Sequence, residues 1–172
     1  MAYKRLGKRK EAVDALRETI RLSPKFADAC DSLGEIYFNS KEYDAAVEVY
    51  RSLVQLKPDS ILAHSHLANS LFNLGKNQDA ISEYELIIKL SPNDPSSYHN
   101  IGNTYAAMGR FDEAIQSYKR AIAVKSDYVP SHFMLGRAFF KKGDKASAIE
   151  EYNALKSLDP NAAKALLEEI SK

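Results

Sequence analysis

Apolar side chains recur along this chain at steps of three and four residues, the spacing that places them on one face of an α-helix. From residue 43 onward this face comprises Tyr43, Ala46, Val47, Tyr50, Leu53 and Val54. A shorter face precedes it, formed by Cys30, Leu33, Ile36 and Tyr37. Two such segments separated by a few polar residues predict a pair of amphipathic helices. The arrangement continues to the C-terminus, so the sequence predicts an all-α protein.

The pattern repeats at one constant interval, without insertion or deletion. The proline column holds Pro24, Pro58, Pro92 and Pro160, with Ser126 in the remaining place. Other columns hold Ala12, Ala46, Ala80, Ala114 and Ala148; Leu16, Tyr50, Tyr84, Tyr118 and Tyr152; and Gly34, Ala68, Gly102 and Gly136. Small residues at fixed places let two helix axes approach closely. Because one helix pair cannot bury both its faces, we expect the pairs to stack as a solenoid.

Glycine and proline mark the helix ends within each period. Gly75, Gly109 and Gly143 fall between the two helices of a pair, where a tight turn requires a positive φ. Lys41 takes that place in the first complete unit. The prolines follow the second helix, where a residue without an amide proton stops it. Each unit is therefore predicted to be helix, short turn, helix and loop.

These columns resemble the tetratricopeptide repeat, whose pattern is W-x2-L-G-x2-Y, then A-x3-F, then P over about 34 residues. The third complete unit reads Y-H-N-I-G-N-T-Y from Tyr98 to Tyr105, followed by Ala114, Tyr118 and Ser126. The tryptophan column departs from the family and holds Cys30, His64, Tyr98 and His132. The resemblance implies a right-handed α-solenoid of antiparallel helix pairs, the tetratricopeptide superhelix.

The register assigns complete repeats to 27–60, 61–94, 95–128 and 129–162. Residues 1–26 are predicted to be a partial repeat, the end of a first helix plus a second helix, and residues 163–172 a capping or truncated helix. We expect the face of Val13, Leu16 and Ile20 to lack a packing partner, so that this end frays or meets a neighbouring molecule.

The resemblance also implies a partner-binding groove, which the family lines with a second stripe of each first helix. Here the candidate partner-binding residues are Asp28, Asp31, Glu35, Phe38, Asn39, Ser65, His66, Asn69, Phe72, Asn73, His99, Asn100, Asn103, Phe133, Met134, Arg137, Phe140 and Lys141. The stripe passes from acidic through amide and imidazole to apolar with two cations. We expect the basic part of a ligand near Asp31 and Glu35, and asparagine amides that both donate to and accept from a peptide backbone. The alternative that the phenylalanines only pack against the next repeat stays open.

Two groove chemistries of the family fit poorly. The carboxylate clamp of chaperone-binding members needs cations, whereas the clamp columns hold Asp31, Glu35, His66, Ser96 and Asn100, or, one repeat later, Ser65, Asn69, Asn100, Pro130 and Met134. The asparagine ladder of O-linked N-acetylglucosamine transferases falls on Ser32, His66, Asn100 and Met134, with one asparagine among four.

Composition and candidate chemistry narrow the function further. The net charge of +1 gives no general reason to expect nucleic acid or an anionic membrane as partner. The basic run Lys4, Arg5, Lys8, Arg9 and Lys10 is interpreted as a solvated turn. The lone Cys30 forms no internal disulfide, and its place on the packing stripe predicts an inert thiol. No cofactor is expected, and the location is expected to be cytoplasmic, with the periplasm left open.

The histidines and the absence of catalytic motifs complete the prediction. His64 and His132 fall in the packing column and are expected to be satisfied core residues, and no Asp, Glu or Cys stands at ligand spacing beside His66 or His99, so no metal is expected. No catalytic triad or phosphate-binding loop has its motif spacing. The sequence therefore predicts a non-catalytic scaffold that holds a peptide or helix of a partner protein. Two alternatives are a docking or regulatory arm of a larger enzyme, such as a glycosyltransferase, and a self-assembling scaffold.

Overall fold

A computed structural model describes the backbone of residues 2–171 and the side chains of residues 7–171. Within residues 2–171 the chain forms ten α-helices and no strand. It divides into two compact units, Met1–Leu86 and Ile87–Lys172. None of the described helices combines the length and the apolarity that a membrane span requires.

The first unit contains four complete helices and most of a fifth. They are α1 (Ala2–Leu22), α2 (Ala27–Asn39), α3 (Tyr43–Leu56), α4 (Ile61–Asn73) and α5 (Asn77–Leu90), whose last residues belong to the second unit. The core is built from the predicted apolar faces: Ala46, Val47, Tyr50 and Leu53 of α3, with Ala63, Leu67 and Leu71 of α4, are each at most 3% exposed. The three- and four-residue spacing thus does place these side chains inward.

The second unit continues the alternation with α6 (Pro95–Ala107), α7 (Phe111–Val124), α8 (Val129–Lys141), α9 (Lys145–Leu158) and α10 (Pro160–Ile170). One core cluster joins Ala114, Ile115 and Tyr118 of α7 to Leu135 and Ala138 of α8. A second joins Ala148 and Leu155 of α9 to Ala163, Leu166 and Ile170 of α10. The fold is all-α, as predicted.

The glycines of the small-residue column allow the close approach of helices that the sequence predicts. A Cβ atom added to Gly34 would lie 2.5 Å from Cε1 of Tyr50, and one added to Gly102 would lie 2.5 Å from Cε1 of Tyr118. Both tyrosines are at most 1% exposed, so a Cβ atom at either glycine would overlap a ring within the packed core. Glycine at these two places therefore allows a first helix to pack directly on the tyrosine of the second.

The glycines between the two helices of each pair have the predicted backbone conformation. Gly75, Gly109 and Gly143 have φ of 80°, 73° and 85°, in the left-handed region that glycine enters without a steric penalty. Lys41, at the same place in the first complete repeat, has φ of 62° and is the one non-glycine residue with positive φ in the described chain. A lysine in this conformation is strained by about 1 kcal/mol.

The two ends of the chain differ from the prediction. α1 is continuous from Ala2 to Leu22, whereas the predicted partial repeat has two helices there. Lysine, arginine and leucine favour helix, and Gly7 alone lowers helix stability by only about 1 kcal/mol, so nothing forces a turn. α10 starts at Pro160, ahead of the predicted terminal segment. Proline suits the first position of a helix, and Asp159 accepts hydrogen bonds from the amides of Asn161 and Ala162.

The N-terminal face is also more covered than expected. Val13 is buried, at 8% exposure, and Leu16 and Ile20 are half-buried. Ile20 lines a cavity together with Leu33 of α2 and Val49 of α3, so this side of α1 faces those helices. The exposed apolar side chains lie beyond it, at Leu22 (67%) and Phe26 (49%).

Candidate functional site

The central feature of the first unit is a cavity of about 310 Å³ between its first helices. Its lining residues are Glu35, Phe38 and Asn39 of α2, Tyr50 of α3, and His66 and Asn69 of α4. We call it the unit 1 cavity. Five of these six residues, all except Tyr50, were predicted as partner-binding. They lie on α2 and α4, the first helices of two successive repeats, and the face of each helix that carries them points away from the packed core.

His66 is held in place by a carboxylate on the neighbouring helix. Its Nδ1 donates to Oδ1 of Asp31 over 3.0 Å, and its ring lies against that of Tyr50, with centroids 5.0 Å apart. The sequence shows no acid at ligand spacing beside His66, whereas the structure places the carboxylate of Asp31 next to it. Asp31 lies a full repeat earlier in the chain, and the stacking of α2 on α4 supplies the contact that sequence spacing along one helix does not show.

In two of the candidate asparagines the side-chain oxygen Oδ1 already accepts a hydrogen bond. The hydroxyl of Tyr84 donates to Oδ1 of Asn69 over 2.6 Å. In the second unit Tyr118 makes the same bond to Oδ1 of Asn103 over 2.8 Å. Burial raises the pKa of both tyrosines, so each hydroxyl keeps its proton. The amide nitrogens of Asn69 and Asn103 therefore remain to donate hydrogen bonds to a ligand. The sequence, in contrast, predicts that these side chains both donate to and accept from a peptide backbone.

The other predicted residues of the first unit lie outside the lining of this cavity. Asp28 is exposed and its carboxylate accepts from Nζ of Lys57 over 3.4 Å. Asn73 is exposed and donates through Nδ2 to the carbonyl oxygen of Asn69. Ser65 and Phe72 are half-buried.

The second unit has a cavity at the equivalent place, two repeats further along the chain. It has a volume of about 220 Å³ and is lined by Ala106, Phe111, Met134, Arg137, Ala138 and Lys141. We call it the unit 2 cavity. Three predicted residues, Met134, Arg137 and Lys141, meet here. Arg137 is tied to α10, because its Nε donates to Oε2 of Glu169 over 2.7 Å.

His99 is a packed residue. Its Nδ1 lies 3.0 Å from Oγ of Ser131, and its ring contacts those of Tyr118 and Tyr128 at centroid distances of 5.6 and 5.7 Å. Burial lowers its pKa to about 4, because the interior disfavours the charged imidazolium. The ring is therefore neutral at pH 7 and helps to join α6 to α8.

The remaining candidates of the second unit, Phe133, Phe140 and Asn100, are half-buried. Phe133 and Phe140 pack against the buried cluster of α9 and α10. The sequence leaves open whether the phenylalanines only pack against the next repeat. Phe140 does pack in this way, whereas Phe38 lines a cavity. Asn100 is half-buried, and its backbone carbonyl accepts from Oγ1 of Thr104.

His64 and His132 are satisfied core residues, as the sequence predicts. Nδ1 of His64 lies 2.6 Å from Oε2 of Glu83, and its Nε2 donates to the carbonyl oxygen of Pro58. His132 has the equivalent partners, Glu151 at 2.7 Å and the carbonyl oxygen of Ser126 at 2.9 Å. Each glutamate follows its histidine at the same interval along the chain. That shared spacing in two repeats is a signal from which sequence reasoning could have found the pair.

The chemistry of other reactive groups follows from their surroundings. Cys30 is buried, and desolvation raises the pKa of its thiol, so it is unreactive. No group of three or more His, Cys, Asp or Glu side chains within the described residues is placed to hold a metal ion.

The basic run near the N-terminus is part of α1, not a turn. Arg9 pairs with Glu42, and the side chains of Lys4 and Arg5 lie outside the described residues.

Sequence reasoning missed the tyrosines of the site. Tyr50 lines the unit 1 cavity, and Tyr84 and Tyr118 orient Asn69 and Asn103. The sequence places these tyrosines on packing faces, and the rings of Tyr50, Tyr84 and Tyr118 are buried. The available signal was the constant interval along the chain between each asparagine and its tyrosine.

Family models agree with the helix pairs described above. A TPR repeat model matches residues 34–75, 68–109 and 102–143, and a tetratricopeptide repeat model matches residues 1–26 and 129–162. The chain belongs to the tetratricopeptide repeat family. No curated protein matches the chain.

Solved structures share the tetratricopeptide solenoid fold. A crystal structure of MamA is 24% identical, with a TM-score of 0.80 and coverage of 94% of both chains. A MamA 41-end structure from Desulfovibrio magneticus RS-1 is 22% identical, with a TM-score of 0.78 and coverage of 91% of this chain and 89% of that one. YrrB, a TPR protein with an unusual peptide-binding site, is 16% identical, with a TM-score of 0.76, covering 96% of this chain and 86% of that one. At these identities the likeness shows the fold.

Proposed function

We propose that this tetratricopeptide chain is a non-catalytic scaffold that holds a peptide or helix of a partner protein on its first-helix stripe. The observation that carries the proposal is the unit 1 cavity. Its walls come from α2, α3 and α4, and the five lining side chains of α2 and α4 belong to the predicted stripe. The peptide-binding site of YrrB, a protein of the same fold, supports this choice of ligand.

The asparagines give the stripe a way to hold a peptide backbone. Tyr84 donates to Oδ1 of Asn69, which lines the cavity, so the two N–H donors of this amide remain for a ligand. Peptide carbonyl oxygens are acceptors present at every residue of a ligand. Asn103 is oriented in the same way by Tyr118 in the second unit. Each amide is pre-oriented, which lowers the entropy lost on binding.

The test begins with short peptides selected from a random phage-displayed library on the full chain. Their affinity is then measured by fluorescence anisotropy for wild type, Asn69→Ala and Tyr84→Phe. Both substitutions break the Tyr84–Asn69 bond, but only Asn69→Ala removes the amide. We expect about a tenfold loss of affinity for Asn69→Ala and less than about threefold for Tyr84→Phe.

Two results would refute the proposal: a library that yields no binder, or binders whose affinity falls equally in both variants. Circular dichroism of each variant is the control for folding. An exposed amide residue of α5, Gln78, provides a matched Gln78→Ala control that should bind as wild type does.

Self-association is a second candidate function, favoured by the exposure of Leu22 and Phe26. Large apolar side chains that are exposed as one contiguous patch mark contact surfaces. Sedimentation equilibrium of wild type and of Leu22→Ser with Phe26→Ser tests it. A mass that rises with concentration in wild type alone supports self-association, and a monomer at all concentrations excludes it. The arm of a larger enzyme stays a prediction.

A further inference from the structure

The unit 1 cavity has an acidic lining with no opposing cation. Of its six lining residues Glu35 is the one with a formal charge, and His66 already donates to Asp31 at its edge. Some carboxylates of this unit have cationic partners, such as Asp28 with Lys57 and Glu42 with Arg9, whereas others, such as Asp44 and Glu48, form no ion pair within residues 7–171. Glu35 forms no ion pair with any side chain in residues 7–171. Its carboxylate is free to meet a ligand.

Tyr50 lines the same cavity and offers its hydroxyl to a ligand. It is 1% exposed, and its hydroxyl makes no hydrogen bond within the part of the chain whose side chains are described. The tyrosines at the same place in the next two repeats, Tyr84 and Tyr118, both donate to an asparagine. In the first complete repeat that asparagine is replaced by Glu35, which leaves the hydroxyl of Tyr50 at the cavity without a protein partner.

The two acidic side chains act on this hydroxyl. Burial raises the pKa of Tyr50, and the negative charges of Asp31 and Glu35 raise it further. The field at the end of the ring is therefore negative and favours a cation there. A neutral hydroxyl can accept a hydrogen bond from an ammonium or guanidinium group.

Aromatic rings complete the walls. Tyr50 and His66 lie against each other at 5.0 Å, and Phe38 contacts Tyr43 edge-on at 5.5 Å. Such rings pack against the aliphatic stem of a long basic side chain, and their faces attract its charge. We propose that the unit 1 cavity binds one lysine or arginine side chain of the partner peptide, with Glu35 and the hydroxyl of Tyr50 receiving the charged group. This proposal rests on the proposed function and names the chemistry of its ligand.

The unit 2 cavity has the opposite character. At the places two repeats beyond Phe38, His66 and Asn69 it holds Ala106, Met134 and Arg137, and Lys141 also lines it. It has two cations and no carboxylate in its lining. Arg137 is paired with Glu169, but no carboxylate lines this cavity to receive a basic side chain, so selection for one in a bound peptide points to the first unit.

The experiment uses the library peptides that bind the full chain. In each peptide every lysine is replaced in turn by norleucine, which keeps the four-carbon stem and lacks the ammonium group, and every arginine by citrulline, which keeps the length and lacks the charge. Affinities are measured for wild type, Glu35→Gln, Tyr50→Phe and Glu48→Gln. Glu48 is an exposed carboxylate of α3 that does not line this cavity.

We expect one basic residue per peptide whose neutralisation lowers affinity for wild type and for Glu48→Gln by about tenfold or more. For Glu35→Gln the same replacement should change affinity less than about twofold, because the charge partner is gone. Tyr50→Phe should weaken wild-type peptides by about three- to tenfold without changing the protein's unfolding midpoint, since its hydroxyl has no partner in the free protein.

Peptides that shift the NMR signals of α2 and α4 but contain no such basic residue would overturn this inference and leave the proposed function standing. Equal losses on wild type and Glu35→Gln would overturn it as well. If no peptide reaches α2 and α4 at all, the proposed function itself fails.

Discussion

The packing of His99 between α6 and α8 predicts that the stability of the protein depends on pH. Replacing His99 tests this prediction. The folded protein holds this imidazole with a pKa of about 4 instead of 6.5, because burial disfavours its charge. Between these values the unfolded chain binds more protons than the folded one. The neutral ring's contribution to stability is therefore complete above pH 6.5 and is lost as pH falls toward 4.

The size of the effect follows from the two pKa values. Their difference corresponds to at most about 3 kcal/mol, and to about 2 kcal/mol once the partial exposure of the ring is allowed for. His99→Phe is the matched change, because Phe133 stands at the same place in the next repeat. Phenylalanine keeps an aromatic ring against Tyr118 and Tyr128 but does not titrate.

Urea unfolding followed by circular dichroism, at several pH values from about 7.5 to about 4.5, measures both proteins. We expect wild type to lose about 2 kcal/mol more than His99→Phe over this range. Other groups titrate in both proteins and cancel in the difference. An NMR titration of the His99 ring checks the cause directly. A ring that titrates with its ordinary pKa, or equal losses in the two proteins, would refute the reasoning.

Three further changes test single features of the fold, each by chemical unfolding. Lys41→Gly should raise the free energy of unfolding by about 0.5–1 kcal/mol, because glycine relieves the positive φ; no gain would mean that this turn is unstrained. Glu83→Gln should lower it by about 1–3 kcal/mol by weakening the buried contact with His64, and an unchanged value would show that this contact contributes nothing. Gly102→Ala should lower it by about 1 kcal/mol, because overlap with Tyr118 outweighs the gain in helix propensity; a stabilised protein would contradict the close packing.

The fold could be predicted from the sequence because its determinants are local and repeated. Alanine at residues 46, 80, 114 and 148 is fully buried in every case, and the glycines between the two helices of each pair have positive φ. The ends were predicted less well. α1 runs through Gly7 without a turn, because one glycine does not break a helix, and α10 starts at Pro160, where Asp159 caps the helix.

The candidate site depended on contacts that sequence spacing does not show. The stripe on α2 and α4 was predictable from helix periodicity. The bond from His66 to Asp31, and the pairing of Arg137 with Glu169, join residues on different repeats and follow from how neighbouring helices pack. The burial of His99 needs the rings of Tyr118 and Tyr128, which lie on other segments.

The most direct test of the central claim is a map of where a bound peptide lies. Two-dimensional NMR spectra of the isotopically labelled chain, recorded with a library-selected peptide, locate the contact. We predict that the largest shifts fall on the amides of Glu35, Asn39, His66 and Asn69 in α2 and α4. Shifts confined to α3 and α5, with α2 and α4 unperturbed, would contradict the claim that the first-helix stripe holds the partner.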